Sequence, residues 1–173
     1  MQGPRLTPTS YIVLGLLEWG GRCTPYDLKA LVKLSVGNFW TLQHAQLYTE
    51  PARLAAAGYV TEEREDGGRR RKLYEITDKG LEALHEWRRA PTGELAELRD
   101  HGLLKLFFGA DASTLAPAQL EAHREKLAEY EELRSHDVGH PPRGPWLALE
   151  AGIRAERSWI GYWEWVLKEA GAE

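Results

Sequence analysis

The sequence predicts a mainly α-helical chain with one small β-hairpin, and three observations carry that expectation. Two Thr-Pro pairs, Thr7-Pro8 and Thr24-Pro25, each supply a capping hydroxyl followed by a proline at the first helical position, where its missing N–H costs nothing. Asp66-Gly67-Gly68 lies between two strand-like runs, Tyr59-Val60 and Leu73 to Ile76, and glycine reaches the positive φ that tight hairpin turns demand. Ala90-Pro91-Thr92-Gly93 then interrupts the chain before a second series of helical patterns, which marks a domain boundary.

The first helix is expected from Pro8 to Trp19, with Ile12, Val13, Leu16 and Leu17 on its apolar side and Gly20-Gly21 ending it. The second covers Pro25 to Lys33, with Asp27 near its positive end, and Ser35 to Trp40 forms the connecting turn. The third begins near Thr41, carries Leu47, Leu54 and Ala55 inward and stops at Gly58. Pro51 falls in its middle, where a proline removes a hydrogen bond and clashes with the preceding turn at about 3 kcal/mol, so a kink or a late start is expected. After the hairpin, Thr77 caps a fourth helix from Asp78 to Arg89. Helix, helix, helix, strand, tip, strand is the order of a winged helix-turn-helix, in which a helix enters the major groove of DNA while the hairpin touches phosphates. That domain is expected over residues 1–90.

Beyond the boundary an all-helical dimerisation domain is expected over residues 94–170. Its helices are predicted at Glu94 to Phe108, Pro117 to Ser135 and Trp146 to Glu169, with Gly139 to Pro145 as a rigid connector before the last. Trp146, Leu149, Ile153, Ile160, Trp163 and Leu167 fall at helical spacing on that last helix, and Trp159, Tyr162 and Val166 widen the apolar face beyond what one layer needs. Part of this face is expected to meet another subunit, so these six residues are the candidate dimerisation residues.

Charge is uneven. The chain of 173 residues has a formal net charge of -4, yet residues 1–90 hold 13 Lys/Arg against 11 Asp/Glu, and residues 91–173 hold 9 against 15. The electrostatic case for nucleic acid therefore rests on the local run Arg69-Arg70-Arg71-Lys72 at the hairpin tip, whose cations can reach phosphates and release counterions. On the third helix Gln43, His44, Gln46, Thr49 and Arg53 form the exposed side, and amides suit adenine edges as arginine suits guanine. The plain alternatives are an edge-protecting charge run and an ordinary solvated helix face.

Other classes find little support. No nucleophile-elbow sequence, phosphate-binding glycine loop, paired CxxC or HExxH occurs, so enzymatic activity is not expected. His136, Asp137 and His140 make too sparse a set for a metal, and no cofactor is expected. A single cysteine, Cys23, excludes an intrachain disulfide, and neither a secretory signal nor an apolar run near the ~18 residues of a membrane span is present. A cytoplasmic location without membrane partners is expected.

Three stretches resemble the PadR family of bacterial transcription regulators: Leu6 to Leu28; Leu47-Tyr48 followed by Arg53-Leu54 and Gly58-Tyr59-Val60; and Gly68 to Leu84, with Trp87 one turn further. Leu98 to Phe108, a long charged helix and a Trp-rich last helix are similar to the longer subgroup with a helical dimerisation domain. The resemblance implies a homodimeric winged-helix repressor of double-stranded DNA, released in some members by a phenolic or drug-like aromatic. It also implies that Tyr48 and Arg53 belong to the recognition helix and Arg69 to Lys72 to the wing. Where the family usually carries leucine three positions after that tyrosine, this chain has Pro51. If an aromatic effector exists, Trp159, Tyr162 and Trp163 are its natural wall. The competing reading is a dimeric ligand-binding or protein-interaction module with a decayed DNA-binding face, which Pro51 and the acidic total favour and the arginine cluster disfavours.

Overall fold

A computed structural model describes residues 5–65, 71–136 and 143–171. The chain divides into two compact units, Met1–Glu94 and Leu95–Glu173. The hairpin tip at 66–70, and with it Arg69 and Arg70, lies outside the described residues, as do Asp137, His140 and most of the expected connector.

In the first unit, helix α1 (Pro8–Gly20) and helix α2 (Pro25–Leu34) start where their caps dictate. Both starts are reciprocal capping boxes. The Thr7 and Ser10 side chains each accept the other's backbone N–H, and Thr24 and Asp27 do the same. A single 3-10 turn, Val36–Asn38, precedes α3 (Gln46–Ala56). Strands β1 (Val60–Arg64) and β2 (Lys72–Ile76) pair antiparallel with Val60 opposite Ile76, Glu62 opposite Tyr74 and Arg64 opposite Lys72. The Glu65 N–H donates to the Arg71 carbonyl at 3.1 Å and closes the described part of the hairpin. Helix α4 (Asp78–Arg89) follows, its cap Thr77 accepting from the Gly80 N–H. The core joins Val13, Leu14, Leu16 and Leu17 of α1 to Leu28, Leu47, Leu54, Val60, Tyr74 and Leu84. One pairing is non-local: Cys23 and Tyr74 exchange both backbone hydrogen bonds, at 3.0 and 2.9 Å, so the segment between α1 and α2 is stitched to β2.

Helix α3 starts late, at Gln46 instead of Thr41, which leaves Gln43 and His44 in the turn before it. Leu47, Pro51 and Leu54 are the buried residues of the helix, so Pro51 stands on the inward face where it keeps its packing and forfeits only one backbone bond. Gly58, at φ 77°, then turns the chain out of α3 in the left-handed region that glycine adopts without strain.

The second unit holds α5 (His101–Phe107), α6 (Ala112–Ser135) and α7 (Arg143–Ala170). Three sequence-based boundaries need correction. Residues 94–100 are not helical: Leu95 is 95% exposed, so no burial rewards a helix there, and Asp100 caps α5 by accepting from the Leu103 N–H at 2.8 Å. Helix α6 begins five residues before Pro117, because Asp111 accepts from the Ser113 N–H and from the Ser113 and Thr114 hydroxyls. Helix α7 begins at Arg143, with Pro145 in its first turn, where the N–H is unpaired in any case. Helices α6 and α7 run antiparallel, as the ion pairs Arg134–Glu150, Arg157–Glu131 and Arg124–Glu164 show in succession. Ala116, Leu120, Trp163 and Val166 form the core between them, with Leu103 and Leu106 of α5 against it. No helix among the described residues is long and apolar enough to cross a membrane.

Candidate nucleic-acid interface

The outward face of α3 presents Gln46, Tyr48 and Thr49, all exposed, with Tyr48 half-exposed despite its size. Thr49 turns its hydroxyl back onto the Ala45 carbonyl at 3.2 Å, and Gln46 accepts from the Gln43 N–H at 3.2 Å, which folds the preceding turn onto the helix start. Gln43 and His44 are exposed at that turn, so these five side chains share one end of α3.

Arg53 points elsewhere. Its guanidinium donates to both Glu50 carboxylate oxygens, at 2.9 and 2.6 Å, to the Ser10 hydroxyl at 2.9 Å and to the Arg5 carbonyl. Ser10 is fully buried and itself donates to Glu50 at 2.6 Å. The fork geometry of arginine against a carboxylate fixes α3 on α1. Glu50 and Ser10 were not singled out in the sequence; the signal was the i,i+3 spacing of Glu50 and Arg53, whose third partner 40 residues earlier no local pattern reveals.

Arg53 hydrogen bonding, against an opposing desolvation, holds the Glu50 carboxyl below its ordinary value of 4.5. A depressed carboxyl contributes stability that is complete above the unfolded value and lost as pH falls through the folded one. Glu50→Gln is therefore expected to cost about 2 kcal/mol at neutral pH, the scale of hydrogen bonds to charged groups. In thermal melts that deficit against the parent should shrink between pH 6 and pH 3; a deficit independent of pH would contradict the pair.

The wing carries its own counterions. Lys72 pairs with Glu62 at 2.9 Å and Arg71 with Glu65 at 3.1 Å, while Arg22 pairs with Glu63 on the neighbouring position of β1. The Lys72 hydrogen bond holds Glu62 below the usual carboxylate range. Glu62 also accepts from the Tyr74 hydroxyl at 2.9 Å, and burial first, then this carboxylate, pushes Tyr74 up to about 12. Arg71 and Lys72 thus sit next to the tip, at the Arg64–Lys72 end of the ladder, within reach of carboxylates, and a phosphate must displace a glutamate to take them.

In the second unit, Ile153 and Trp163, candidates for a subunit interface, are fully buried within the chain's own core. Trp163 spends its apolar surface against α6 and α5, and neither residue has exposed surface to offer a partner. Trp146, 41% exposed, and the half-buried Leu149, Ile160 and Leu167 keep outward surface, as do Phe107, Phe108 and Trp165, which were not singled out for this role. Trp159 and Tyr162 are half-buried and meet edge to face at 5.9 Å, with the His123 ring stacked on Trp159 and hydrogen-bonded to Glu156 at 2.6 Å.

Comparison with known proteins accords with this arrangement. Residues 13–86 match the model of the transcriptional regulator PadR-like family, and residues 98–170 match the virulence activator alpha C-terminal family. The negative transcriptional regulator PadR of Bacillus subtilis (strain 168) is 30% identical over 174 residues, covering 91% of this chain and 94% of that protein. The crystal structure of Bacillus subtilis PadR in complex with operator DNA superposes with a TM-score of 0.82 at 27% identity, over 93% of this chain and 98% of that one. Its complex with p-coumaric acid gives 0.78 at 25% identity, over 96% and 99%. With the winged-helix elements and the long helical pair in the same order across nearly the full length, the chain belongs to the PadR-like family of transcriptional regulators.

Proposed function

We propose that this protein is a homodimeric, sequence-specific DNA-binding repressor that acts in the cytoplasm, has no enzymatic activity, and is released from its operator by a small planar aromatic. One observation carries the reading: α3 turns Gln46, Tyr48 and Thr49 outward, with Gln43 and His44 beside them, while a hairpin with cations next to its tip follows directly. Pro51, which favoured a decayed DNA face, is buried on the same side of α3 as Leu47 and Leu54 and leaves that outward face intact. The operator complex of the Bacillus subtilis relative supports DNA as the partner, and its p-coumaric acid complex supports an aromatic acid as the effector class.

In this reading the first unit binds DNA and the second dimerises through Trp146, Leu149, Ile160 and Leu167. Two α3 copies related by a two-fold axis then sit one duplex turn apart, ~34–36 Å, and read a partly palindromic site. Arg53 serves by holding α3 in place, and Trp159 and Tyr162 offer aromatic faces to an effector. Retardation of DNA from upstream of the protein's own coding region, competed by the same duplex and not by a scrambled one, is the direct test; no specific retardation would overturn the reading.

The wing gives a second expected result. Replacing Arg69, Arg70 and Arg71 with alanine should weaken binding to all duplexes about equally and flatten the dependence of log K on log salt by ~0.9 per lost phosphate contact. Glu65→Gln, which frees Arg71 from its carboxylate, should act in the opposite direction. An unchanged salt slope in the triple variant would remove the wing from the interface.

A further inference from the structure

The carbonyls at the end of α3 face a helix terminus that has no N–H of its own left to give them. Three in succession are taken by one short segment at the start of α4. The Ala57 carbonyl accepts from Lys79 Nζ at 2.6 Å, the Gly58 carbonyl from the Thr77 hydroxyl at 2.9 Å and the Tyr59 carbonyl from the Thr77 N–H at 3.1 Å. The Lys79 ammonium also stands 4.2 Å from the centre of the Tyr59 ring, within the range of a cation–π contact.

For α4 itself this cation is misplaced. Lys79 is exposed in the first turn, where the positive end of the helix favours its neighbour Asp78 and disfavours an ammonium. The negative end of α3 favours it, because a lysine there neutralises the dipole and caps a terminal carbonyl at once. The charge is thus placed for α3 and not for the helix that carries it.

We infer that Lys79 is a positioning residue for operator recognition: its ammonium fixes the end of α3 against α4 and so sets the angle at which Gln46, Tyr48 and Thr49 meet the bases. The inference rests on the DNA-binding reading above, in which α3 reads the groove. The Ser10–Glu50–Arg53 clamp ties α3 to α1, and Lys79 ties the end of the helix to α4. Two attachments fix a direction where one leaves a pivot. Ala57 lies about 16 Å along the helix from Gln46, so a tilt of about 5° at that end carries Gln46 by about 1.4 Å. Good N–H···O bonds span only roughly 0.5 Å in length, so base contacts are lost at that displacement. Attraction between cations and phosphates changes little over the same distance, since it decays over a Debye length of about 10 Å. Loss of Lys79 therefore erases discrimination between sequences before it erases binding.

The test is fluorescence anisotropy of the full-length protein on the operator and on a scrambled duplex of equal length, over a range of salt concentrations and well below the melting temperature of every variant. Lys79→Met keeps an apolar stem over the Tyr59 ring and removes donor and charge. It should weaken operator binding about tenfold and scrambled binding less than about twofold, with the parent's slope of log K against log salt. Lys79→Arg, which restores charge and donors, should return operator affinity to within about threefold of the parent. Should Lys79→Met not fold, Lys79→Gln, shorter and uncharged, replaces it. Equal weakening on both duplexes overturns the inference, as a phosphate contact if the slope flattens by ~0.9 and as a general loss of structure if the slope holds. Unchanged operator affinity in Lys79→Met overturns it as well. Each of these outcomes leaves the DNA-binding reading standing, whereas failure of the parent to prefer its operator overturns both.

Discussion

Trp163→Ala is expected to collapse the second unit as a cooperative fold. The indole is fully buried among Ala116, Leu120 and Val166, with Leu103 and Leu106 against the same cluster. A Cβ on Gly102 would come within 3.0 Å of the indole Cζ2, so the ring lies flush on the backbone of α5 and ties that short helix to the α6–α7 pair. Truncating a buried tryptophan costs about 3–5 kcal/mol, a large share of the ~5–15 kcal/mol by which a whole domain is stable. For a unit of this size the melting temperature should fall by at least about 15 °C. Protein concentration separates core from interface. A core residue lowers the melting temperature equally at every concentration, whereas an interface residue produces a loss that high concentration repairs. Sedimentation and melts over a hundredfold range of concentration make the distinction, and a concentration-repaired loss would return Trp163 to the subunit interface. Trp163→Phe should cost much less, because it also removes the Nε1 donor, which is buried without a hydrogen-bond partner among the described residues.

The same residue shows where sequence reasoning stops. Helical spacing identified Trp163 and Ile153 as apolar-face residues, which they are, but periodicity says that a face is buried and not which element buries it. A partner inside the chain and a partner in another subunit leave the same pattern. Starts of α1, α2 and α4 were legible because their determinants are local: Thr7, Thr24 and Thr77 each act on the N–H three residues on. The start of α6 was missed because Pro117 looked like a first-turn proline, while Asp111, with three donors around it, made the real cap. Long-range links had no local trace. Neither the Cys23–Tyr74 strand pairing nor the Ser10–Glu50–Arg53 clamp could be read from spacing, since each joins segments some 40 to 50 residues apart. The candidate interface was therefore legible in outline, as an exposed recognition helix followed by a basic hairpin, and illegible in the roles of Arg53 and of the wing glutamates.

Gly80→Ala, a change that ordinarily stabilises a helix, is expected to damage both the first unit and its hold on DNA. In an exposed helix, replacing glycine with alanine gains roughly 0.5–1 kcal/mol, because the unfolded chain loses freedom and the helix is better shielded. Gly80 stands in the first turn of α4 and is buried, and a Cβ there would lie 2.2 Å from the Tyr59 carbonyl oxygen, with Ile76 Cγ1 at 2.8 Å and Leu14 Cδ2 at 3.2 Å. The first of these contacts decides the sign. A side chain can rotate away, but the Tyr59 oxygen is backbone and already accepts the Thr77 N–H at 3.1 Å, so relief requires α4 to move off the sheet and weaken its own cap. Overpacking of this kind costs about 1–3 kcal/mol or more and should exceed the helical gain. The movement also reaches function, because Tyr59 is the link between α3 and β1: displacing it shifts the recognition helix relative to the wing. Melts of Gly80→Ala beside Glu82→Ala, an exposed position on the same helix, should show a drop of about 10 °C in the first and little change in the second. Operator affinity should fall at least tenfold in Gly80→Ala even at temperatures where it remains folded, the loss that ~1.4 kcal/mol of misplacement produces. A melting temperature equal to or above that of the parent would mean that α4 yields freely and that the close approach of Gly80 to Tyr59 does not set the geometry of the DNA-binding face.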